Sequence, residues 1–194
     1  MLILPRSCFL HVPKTGGLWV KKAILASGIN CESFSIKDNN HPGLRECPFP
    51  EKFKFAFVRH PLGVYRSYWQ YKMTYGWDLH NPIDQNCRDD NFEAFVSLVV
   101  DKMPGVYSRG IVDFVGTDRK PIEFIGKYEN LVEDLIKALT MAGCHFNENV
   151  IRALPPINVS NKQAFPAEYT PELKAAVLRT ESGVMTRFGY SADI

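Results

Sequence analysis

The chain passes from an apolar segment into a helical pattern through His11-Val12-Pro13-Lys14-Thr15-Gly16-Gly17-Leu18-Trp19. Cys8 to Val12 predicts a short buried strand, and Leu18 to Ser27 carries apolar residues at helical spacing until Gly28 ends the pattern. Glycines at a helix start let an anion approach the backbone N–H groups, and Lys14 adds a positive charge. The turn therefore predicts a phosphate-binding loop, with an ordinary glycine-containing turn as the alternative.

A second predicted strand also ends in a cation. Phe53 to Arg59 is apolar except for Lys54 and its terminal arginine, and His60-Pro61 then begins a helix. Ser67 lies two turns inside that helix, on a stretch that we expect to pack beside Arg59. The guanidinium and the hydroxyl together predict a second phosphate site, because the planar fork of arginine matches phosphate oxygens.

Both segments, in this order, resemble the sulfotransferase family, whose members transfer a sulfuryl group from 3'-phosphoadenosine 5'-phosphosulfate (PAPS). The family's P-K-[ST]-G-[GT]-[ST]-x loop binds the 5'-phosphosulfate, and it matches residues 13–19 here except at Leu18. The family's Arg-x-Pro, with a serine eight positions after the arginine, binds the 3'-phosphate and matches Arg59, Pro61 and Ser67. Many carbohydrate-type members carry another arginine at the position of Val64, for which Arg66 is a candidate replacement.

Later segments extend the resemblance over nearly the whole chain. Ile122 to Leu131 looks like the family's late strand, which ends in Tyr-Glu close to the adenine, and Asn158-Val159-Ser160-Asn161-Lys162 looks like a segment beside the nucleotide. Phe188-Gly189-Tyr190 resembles the ending of the carbohydrate and bacterial branch. The resemblance assigns these residues to the nucleotide: Pro13, Lys14, Thr15, Gly16, Gly17, Leu18, Trp19, Arg59, Ser67, Tyr128, Ser160 and Lys162. For Trp19, a buried anchor of the first helix is the alternative.

The same resemblance implies the chemistry. PAPS is the expected donor, 3'-phosphoadenosine 5'-phosphate (PAP) the product, and no divalent metal is expected. Lys14 is the expected catalytic cation, since it would neutralise the charge that develops on the oxygen bridging sulfur and phosphorus. The acceptor is expected to be a small molecule or glycan, with a sugar hydroxyl or amine favoured by the resemblance to the carbohydrate branch.

An acceptor hydroxyl must lose a proton during attack, and a histidine can take it at neutral pH. His41 is the candidate base, because many family members place a catalytic histidine upstream of the 3'-phosphate motif; a solvated loop histidine is the alternative. His80 and Glu46 are the reserve candidates. Of the other histidines, His11 is expected to be structural, His60 to cap the following helix and His145 to lie near a helix end.

Apolar segments that alternate between strand and helix patterns predict an α/β chain with a P-loop-like three-layer αβα fold around a central parallel sheet. Asn130 with Glu133, and Thr170 before Pro171, predict helix starts. The polar stretches 37–50 and 76–90 are the expected long loops and the expected source of acceptor specificity. The predicted strands are Cys8–Val12, Cys31–Ile36, Phe53–Arg59 and Ile122–Tyr128, and the predicted helices are Leu18–Ser27, Leu62–Thr74, Phe92–Lys102, Leu131–Ala142 and Pro171–Phe188.

Composition sets the broad class. The chain has 194 residues, of which 45% are hydrophobic, and this favours a single domain over residues 1–194. A formal net charge of +2 argues against nucleic-acid binding by bulk electrostatics. The five scattered cysteines predict neither a disulfide framework nor a metal site. Because the first residues run directly into the phosphate loop, we expect a cytoplasmic chain without a membrane segment, or a Golgi enzyme only if an upstream anchor has been removed.

Two other functions stay open at this point. One is a P-loop nucleotide kinase, although the spacing here is not the G-x-x-x-x-G-K-[ST] of a Walker A loop, and we find no clear Walker B strand ending in aspartate. The other is a non-catalytic nucleotide-binding protein that keeps both phosphate loops. Lys14 argues against this second alternative, since its expected role lies in the transition state as well as in binding.

Overall fold

The structure is a computed structural model that describes residues 1–36, 41–157 and 164–192. The described residues form two compact units. The first unit comprises those of Met1–Arg59 and Ile111–Asn158, and the second unit comprises those of His60–Gly110 and Val159–Ile194. That residues 1–194 form one domain stays a prediction. No helix among the described residues is both long and apolar enough to span a membrane.

The described elements include the predicted ones, with changed bounds in several cases, and others that the sequence did not predict. The described strands are β1 (Leu2–Ile3), β2 (Ser7–Leu10), β3 (Glu32–Ser33), β4 (Phe53–Val58), β5 (Gly116–Thr117), β6 (Lys120–Pro121) and β7 (Phe124–Lys127). The described helices are α1 (Gly17–Ala26), α2 (Pro61–Tyr75), α3 (Pro82–Cys87), α4 (Phe92–Lys102), α5 (Val106–Gly110), α6 (Val112–Val115), α7 (Leu131–Met141), α8 (Glu148–Ala153), α9 (Pro171–Thr180) and α10 (Ser182–Arg187).

The first unit contains a five-stranded sheet in the order β3-β1-β2-β4-β7, flanked by helices. Strands β2, β4 and β7 are parallel, whereas β1 pairs antiparallel with both β2 and β3. The α/β class is confirmed, and the expectation of a wholly parallel sheet is wrong. The reason lies in the connection: Leu4 N–H donates to the carbonyl of Ser7 at 2.8 Å, and this tight turn returns the chain antiparallel where a parallel pair needs a long crossover.

Strand β4 lies between β2 and β7, and its residues from Lys54 to Val58 are buried, as in the central strand of a sheet covered on both faces. The rings of Phe9, Phe55 and Phe57 form the centre of the core, with Phe9 and Phe55 stacked at 5.4 Å between centroids. Helices α1, α7 and α8 add further buried side chains to this core: Trp19, Val20, Ala23, Ile24, Leu135, Ala138, Leu139 and Ile151. This packing holds the three parallel strands and fixes where each of them ends.

The start of α7 differs from the predicted capping pair. Asn130 makes no side-chain cap to the helix; instead its Nδ2 donates to Asp134 Oδ1 at 3.0 Å. The other oxygen of Asp134 accepts from the N–H of Lys127 at 2.6 Å. Glu133 is paired with Arg152 of α8. The carboxylate that meets this turn therefore belongs to Asp134, and the Asn130–Glu133 pair is wrong.

In the second unit, the single helix predicted over Pro171–Phe188 is two helices, α9 and α10. Between them the carboxylate of Glu181 is fully buried, and it accepts from Tyr65 Oη and from the N–H and hydroxyl of Ser108. A buried carboxylate needs such donors, and Glu181 lies at the boundary between the two helices. The predicted helix start at Thr170 is confirmed, since Thr170 Oγ1 accepts from the N–H of Leu173.

The predicted loop over residues 76–90 also contains structure. Helix α3 lies within it, capped by Asn81 Oδ1, which accepts from the N–H of Ile83 at 2.9 Å. Asp84 of α3 is fully buried and pairs with Lys72 of α2 at 2.5 Å, and it also accepts from Tyr68 Oη. A buried ion pair holds this segment on α2, which the polarity of the stretch did not predict.

Candidate functional site

The turn between β2 and α1 carries the unusual backbone of the first unit. Lys14 has φ of 66°, and among the described residues no other non-glycine side chain sits at positive φ. A left-handed conformation costs an L-residue about 1–2 kcal/mol, so the turn retains a lysine where the backbone would favour glycine. Gly16 follows with φ of 82° and is the N-cap of α1. Strain of this kind is characteristic of functional turns.

The two glycines of the turn are required for space as well as for conformation. A Cβ on Gly16 would lie 2.8 Å from Leu131 Cδ2 and 3.1 Å from Tyr128 Cδ2. A Cβ on Gly17 would overlap the imidazole ring of His11. Both glycines therefore let the loop backbone pack directly against rings and side chains of the first unit.

The start of α1 receives no side-chain cap and no acidic residue from its own first turn. Its N-cap is Gly16. The N-terminal N–H groups of a helix attract anions, and a positively charged side chain nearby strengthens the attraction. Lys14 precedes this helix start by two residues. The electrostatics therefore favour an external anion here.

Arg59 joins this turn from the adjacent strand. Because β2, β4 and β7 are parallel and in register, the residues that follow them lie at one edge of the sheet. Arg59, directly after β4, donates from Nη1 to the carbonyl oxygen of Lys14 at 3.1 Å. Its guanidinium lies over the ring of Tyr128, directly after β7, with 3.9 Å from Cζ to the ring centroid. The Arg59 guanidinium thus lies on the backbone of the turn that contains Lys14, and on the ring of Tyr128.

His41 also reaches the turn. Its Nδ1 lies 3.3 Å from the carbonyl oxygen of His11, and the two imidazole rings meet edge to face at 4.6 Å between centroids. Since a carbonyl only accepts, Nδ1 carries the proton and the neutral ring keeps its lone pair on Nε2. Burial, with the charge of Lys14 adding to it, lowers the pKa of His41 below its ordinary value. The ring is therefore neutral at pH 7, the form that a proton acceptor needs.

His11 is held differently. Its ring is stacked on Phe9 at 5.8 Å and lies against Gly17. Burial lowers its pKa to about 3, with the charges of His41 and Lys14 adding to the effect. The ring therefore stays neutral over the physiological pH range, and its packing supports the structural role that the sequence predicts for His11.

Four more residues assigned to the nucleotide lie in or directly after the turn. Thr15 is fully buried, and its hydroxyl donates to the carbonyl of Val12 at 2.8 Å, so this hydroxyl closes the turn. Trp19 is 6% exposed and belongs to the core, in agreement with the buried-anchor alternative. Leu18 is exposed at the surface of the first helical turn, and Pro13 is exposed before it.

Three further predicted site residues are not among the described residues of the first unit. Ser67 is a half-buried residue of α2 in the second unit, while Ser160 and Lys162 lie outside the described residues. Val64 is buried, and Arg66, its candidate replacement, donates from Nε to the carbonyl of Ala167 at 2.9 Å.

The structure also shows the contacts or exposure of the other candidate proton acceptors. His60 caps α2 as predicted, since its Nδ1 accepts from the N–H of Leu62. His80 and His145 are exposed. Glu46 is also exposed, and its carboxylate accepts from the N–H of Gly43 at 2.8 Å.

Some contacts of the site had no sequence signal. Leu131 packs on Gly16, and the segment after His41 is held by Leu44 N–H, which donates to the carbonyl of Asp113 at 2.6 Å. These partners are separated by more than sixty residues, so local pattern cannot pair them. Within the described part of the chain, no group of three or more His, Cys, Asp or Glu is arranged to hold a metal ion.

The residues at this edge of the sheet form two positively charged regions. Lys14 and the uncapped start of α1 provide one positive region, Arg59 provides a second, and the glycines allow close backbone approach. No protein-family model, curated protein or solved structure matches the chain.

Proposed function

We propose that the chain is a sulfotransferase that uses PAPS as donor and transfers its sulfuryl group to a hydroxyl or amine of a sugar-containing acceptor. The observation that carries the proposal is the hydrogen bond from Arg59 Nη1 to the carbonyl of Lys14. It brings cations from the ends of two adjacent parallel strands to one helix start. Two neighbouring cationic regions suit a ligand with phosphate groups on both sides of one ribose. The proposal includes a P-loop-like three-layer arrangement around β2, β4 and β7.

In this proposal Lys14 and the N–H groups of residues 15–18 hold the 5'-phosphosulfate, and Arg59 holds the 3'-phosphate. Arg59 presents a planar fork of donors, which suits phosphate oxygens better than an ammonium does. The resemblance adds Ser67, Ser160 and Lys162 to the 3'-phosphate side. Thr15 takes part through its backbone N–H, since its hydroxyl donates within the turn.

When bound, PAPS supplies a sulfuryl group attached to a phosphate leaving group. The ammonium of Lys14 opposes the negative charge that collects on the leaving oxygen, and a positioned charge in a site shielded from water stabilises such a transition state strongly. Nε2 of His41 takes the proton that the substrate's hydroxyl or amine loses. Nδ1–H keeps the ring oriented on the carbonyl of His11. A lowered pKa keeps His41 available for this proton at neutral pH.

Nucleotide kinase activity is the second candidate, and it fits the site less well. Kinase chemistry needs carboxylates that hold Mg²⁺ beside the phosphates. The residues that directly follow the three parallel strands are His11, Arg59 and Tyr128, none of which carries a carboxylate. A non-catalytic nucleotide-binding protein is the third candidate, and only turnover separates it from the proposal.

The test is titration calorimetry of the purified chain with PAP and, separately, with ATP and Mg²⁺. Binding of PAP without binding of ATP supports the proposed donor class. The reverse result would support the kinase alternative, and binding of neither would overturn both. A chain that binds PAP is then supplied with ³⁵S-labelled PAPS and a panel of sugars, amino sugars and small alcohols. Labelled product supports the enzyme, whereas PAP binding without transfer to any acceptor supports the non-catalytic alternative.

A further inference from the structure

The ring of Tyr128 connects the two cationic regions of the site. On one side it carries the guanidinium of Arg59, 3.9 Å from Cζ to the ring centroid. The same ring packs on the phosphate loop, since a Cβ on Gly16 would lie 3.1 Å from its Cδ2 and 3.2 Å from its Cε2. One side chain therefore contacts both the predicted 3'-phosphate arginine and the predicted phosphosulfate loop.

A hydrogen bond between Arg59 and the phosphate loop completes this set of contacts. Arg59 donates to the carbonyl of Lys14, Lys14 lies two residues before Gly16, and Gly16 packs on Tyr128. The bond from Arg59 falls on the one described non-glycine residue with positive φ. It therefore helps to hold Lys14 in a conformation that an isolated chain disfavours. Displacement of Arg59 would release the loop, and displacement of the loop would release Arg59.

We propose that Tyr128 is a positioning residue, which holds Arg59 against the phosphate loop and so couples the two phosphate sites of the proposed nucleotide-binding site. This inference rests on the proposed function. It assigns Tyr128 a role different from the adenine contact that the sequence resemblance implies. Its aromatic face is the active feature, because the attraction to a guanidinium comes from the ring's π-system and not from the hydroxyl.

The experiment is a double-mutant cycle read by PAP affinity. Four chains are titrated with PAP: the unchanged chain, Tyr128→Leu, Arg59→Ala and the double variant, with Tyr128→Phe as the matched control that keeps the ring. We expect Tyr128→Leu to bind PAP about fivefold more weakly, and Tyr128→Phe to bind it as the unchanged chain does. In the Arg59→Ala background, Tyr128→Leu should then cost little further affinity.

The cycle separates positioning from direct contact. If Tyr128→Leu weakens PAP binding equally with and without Arg59, the ring touches the nucleotide itself and the positioning role is overturned. If Tyr128→Phe loses as much affinity as Tyr128→Leu, the aromatic face is not the active feature, and the inference is again overturned. In both outcomes the unchanged chain binds PAP, so the proposed function stands.

A second readout needs no nucleotide. The same four chains are unfolded in urea without ligand, and the stability losses of Tyr128→Leu and Arg59→Ala should be smaller together than the sum of the two. Additive losses would show that the two side chains do not support each other and would overturn the inference. Coupled losses in a chain that does not bind PAP would instead overturn the proposed function and leave the contact between Arg59 and Tyr128 established.

Discussion

Two strand-to-helix turns of the first unit both follow parallel strands, but the helices after them begin with different side chains. The turns after β2 and after β7 both leave the carboxyl edge of the parallel strands. After β7, Asp134 of α7 accepts from the N–H of Lys127 and from Asn130, so the chain supplies its own carboxylate. After β2, α1 has neither a side-chain cap nor an acidic first turn, and two cations lie beside it.

This difference indicates where a ligand belongs. A helix start attracts negative charge, and in α7 that demand is met by Asp134 within the fold. In α1 the same demand is combined with a strained lysine and with glycines that let the backbone be approached closely. Of the two turns, the one after β2 is therefore where the proposed function places the anionic ligand.

The largest expected effect is on the chemistry of the turn after β2. Lys14→Ala should lower the turnover of PAPS about a thousandfold, because a positioned charge on the leaving oxygen is lost. PAP affinity should fall only moderately, since the loop N–H groups stay in place. The control is Lys22→Ala, which removes an exposed lysine from α1, the helix that follows this turn. This variant should keep full activity. Near-normal turnover of Lys14→Ala would contradict the role of this lysine.

Next in size is the effect of filling the space at the turn. Gly17→Ala should lower the free energy of unfolding by about 3 kcal/mol, because the new methyl group overlaps the ring of His11 in a packed interior. Gly110→Ala is the control, since nothing lies within 4 Å of its Cβ position. Urea unfolding of both variants measures the difference. Equal losses would mean that the contact with His11 does not constrain the turn.

Proton transfer at this turn should follow His41. His41→Ala should lower turnover about a hundredfold while PAP affinity is kept, because only the proton acceptor is lost. In the unchanged chain His41 is active when neutral, and its lowered pKa means that turnover falls only when the pH drops below the ordinary histidine value of about 6.5. A pH–rate profile of both chains tests this.

The control for His41 is His145→Ala, which removes an exposed histidine and should leave the profile unchanged. A turnover rate of His41→Ala equal to that of the unchanged chain would move the proton acceptor to another residue. An acidic limb centred above pH 6.5 would contradict the effect of burial on this ring.

Arg59 gives a smaller effect that depends on the ligand. Arg59→Ala should weaken PAP binding by about 2 kcal/mol, the usual loss for a hydrogen bond to a charged group. Adenosine 5'-phosphate should lose much less, because it has no 3'-phosphate. Calorimetry with both nucleotides measures the difference, and Arg45→Ala, at an exposed position in the first unit, controls for net charge. Equal losses for the two nucleotides would contradict the assignment.

The smallest effect would make the two turns alike. Leu18 is 56% exposed in the first turn of α1, so Leu18→Asp should raise the free energy of unfolding by about 0.5 kcal/mol through the helix dipole. The same carboxylate should weaken PAP binding by competing with the ligand. Leu25→Asp, at an exposed position near the other end of α1, should destabilise the helix. If Leu18→Asp left both stability and PAP affinity unchanged, the helix start would not be the anion site.

Much of the local structure was predictable because it depends on local pattern. Helix α4 has the predicted bounds. Helices α1 and α2 differ from their predicted bounds by one residue at each end, and α7 differs by one residue at its C-terminal end. The predictions that were wrong concern elements whose contacts join residues distant in the sequence. The split between α9 and α10 lies at Glu181, whose donors Tyr65 and Ser108 are 116 and 73 residues away. Helix α3 is held by the ion pair between Asp84 and Lys72. The sequence pattern places Asp84 in a loop and Lys72 in a helix.

The amino-acid sequence alone determined which residues stand at the candidate site. It placed Lys14 between a strand and a glycine-started helix and Arg59 at the end of another strand, because strand patterns, helix patterns and turn residues act over a few neighbouring positions. The tertiary structure decided what those residues touch. Only the parallel pairing of β2, β4 and β7 brings Arg59 to the carbonyl of Lys14 and the ring of Tyr128 between Arg59 and Gly16, since contacts across a sheet join residues that no local pattern relates.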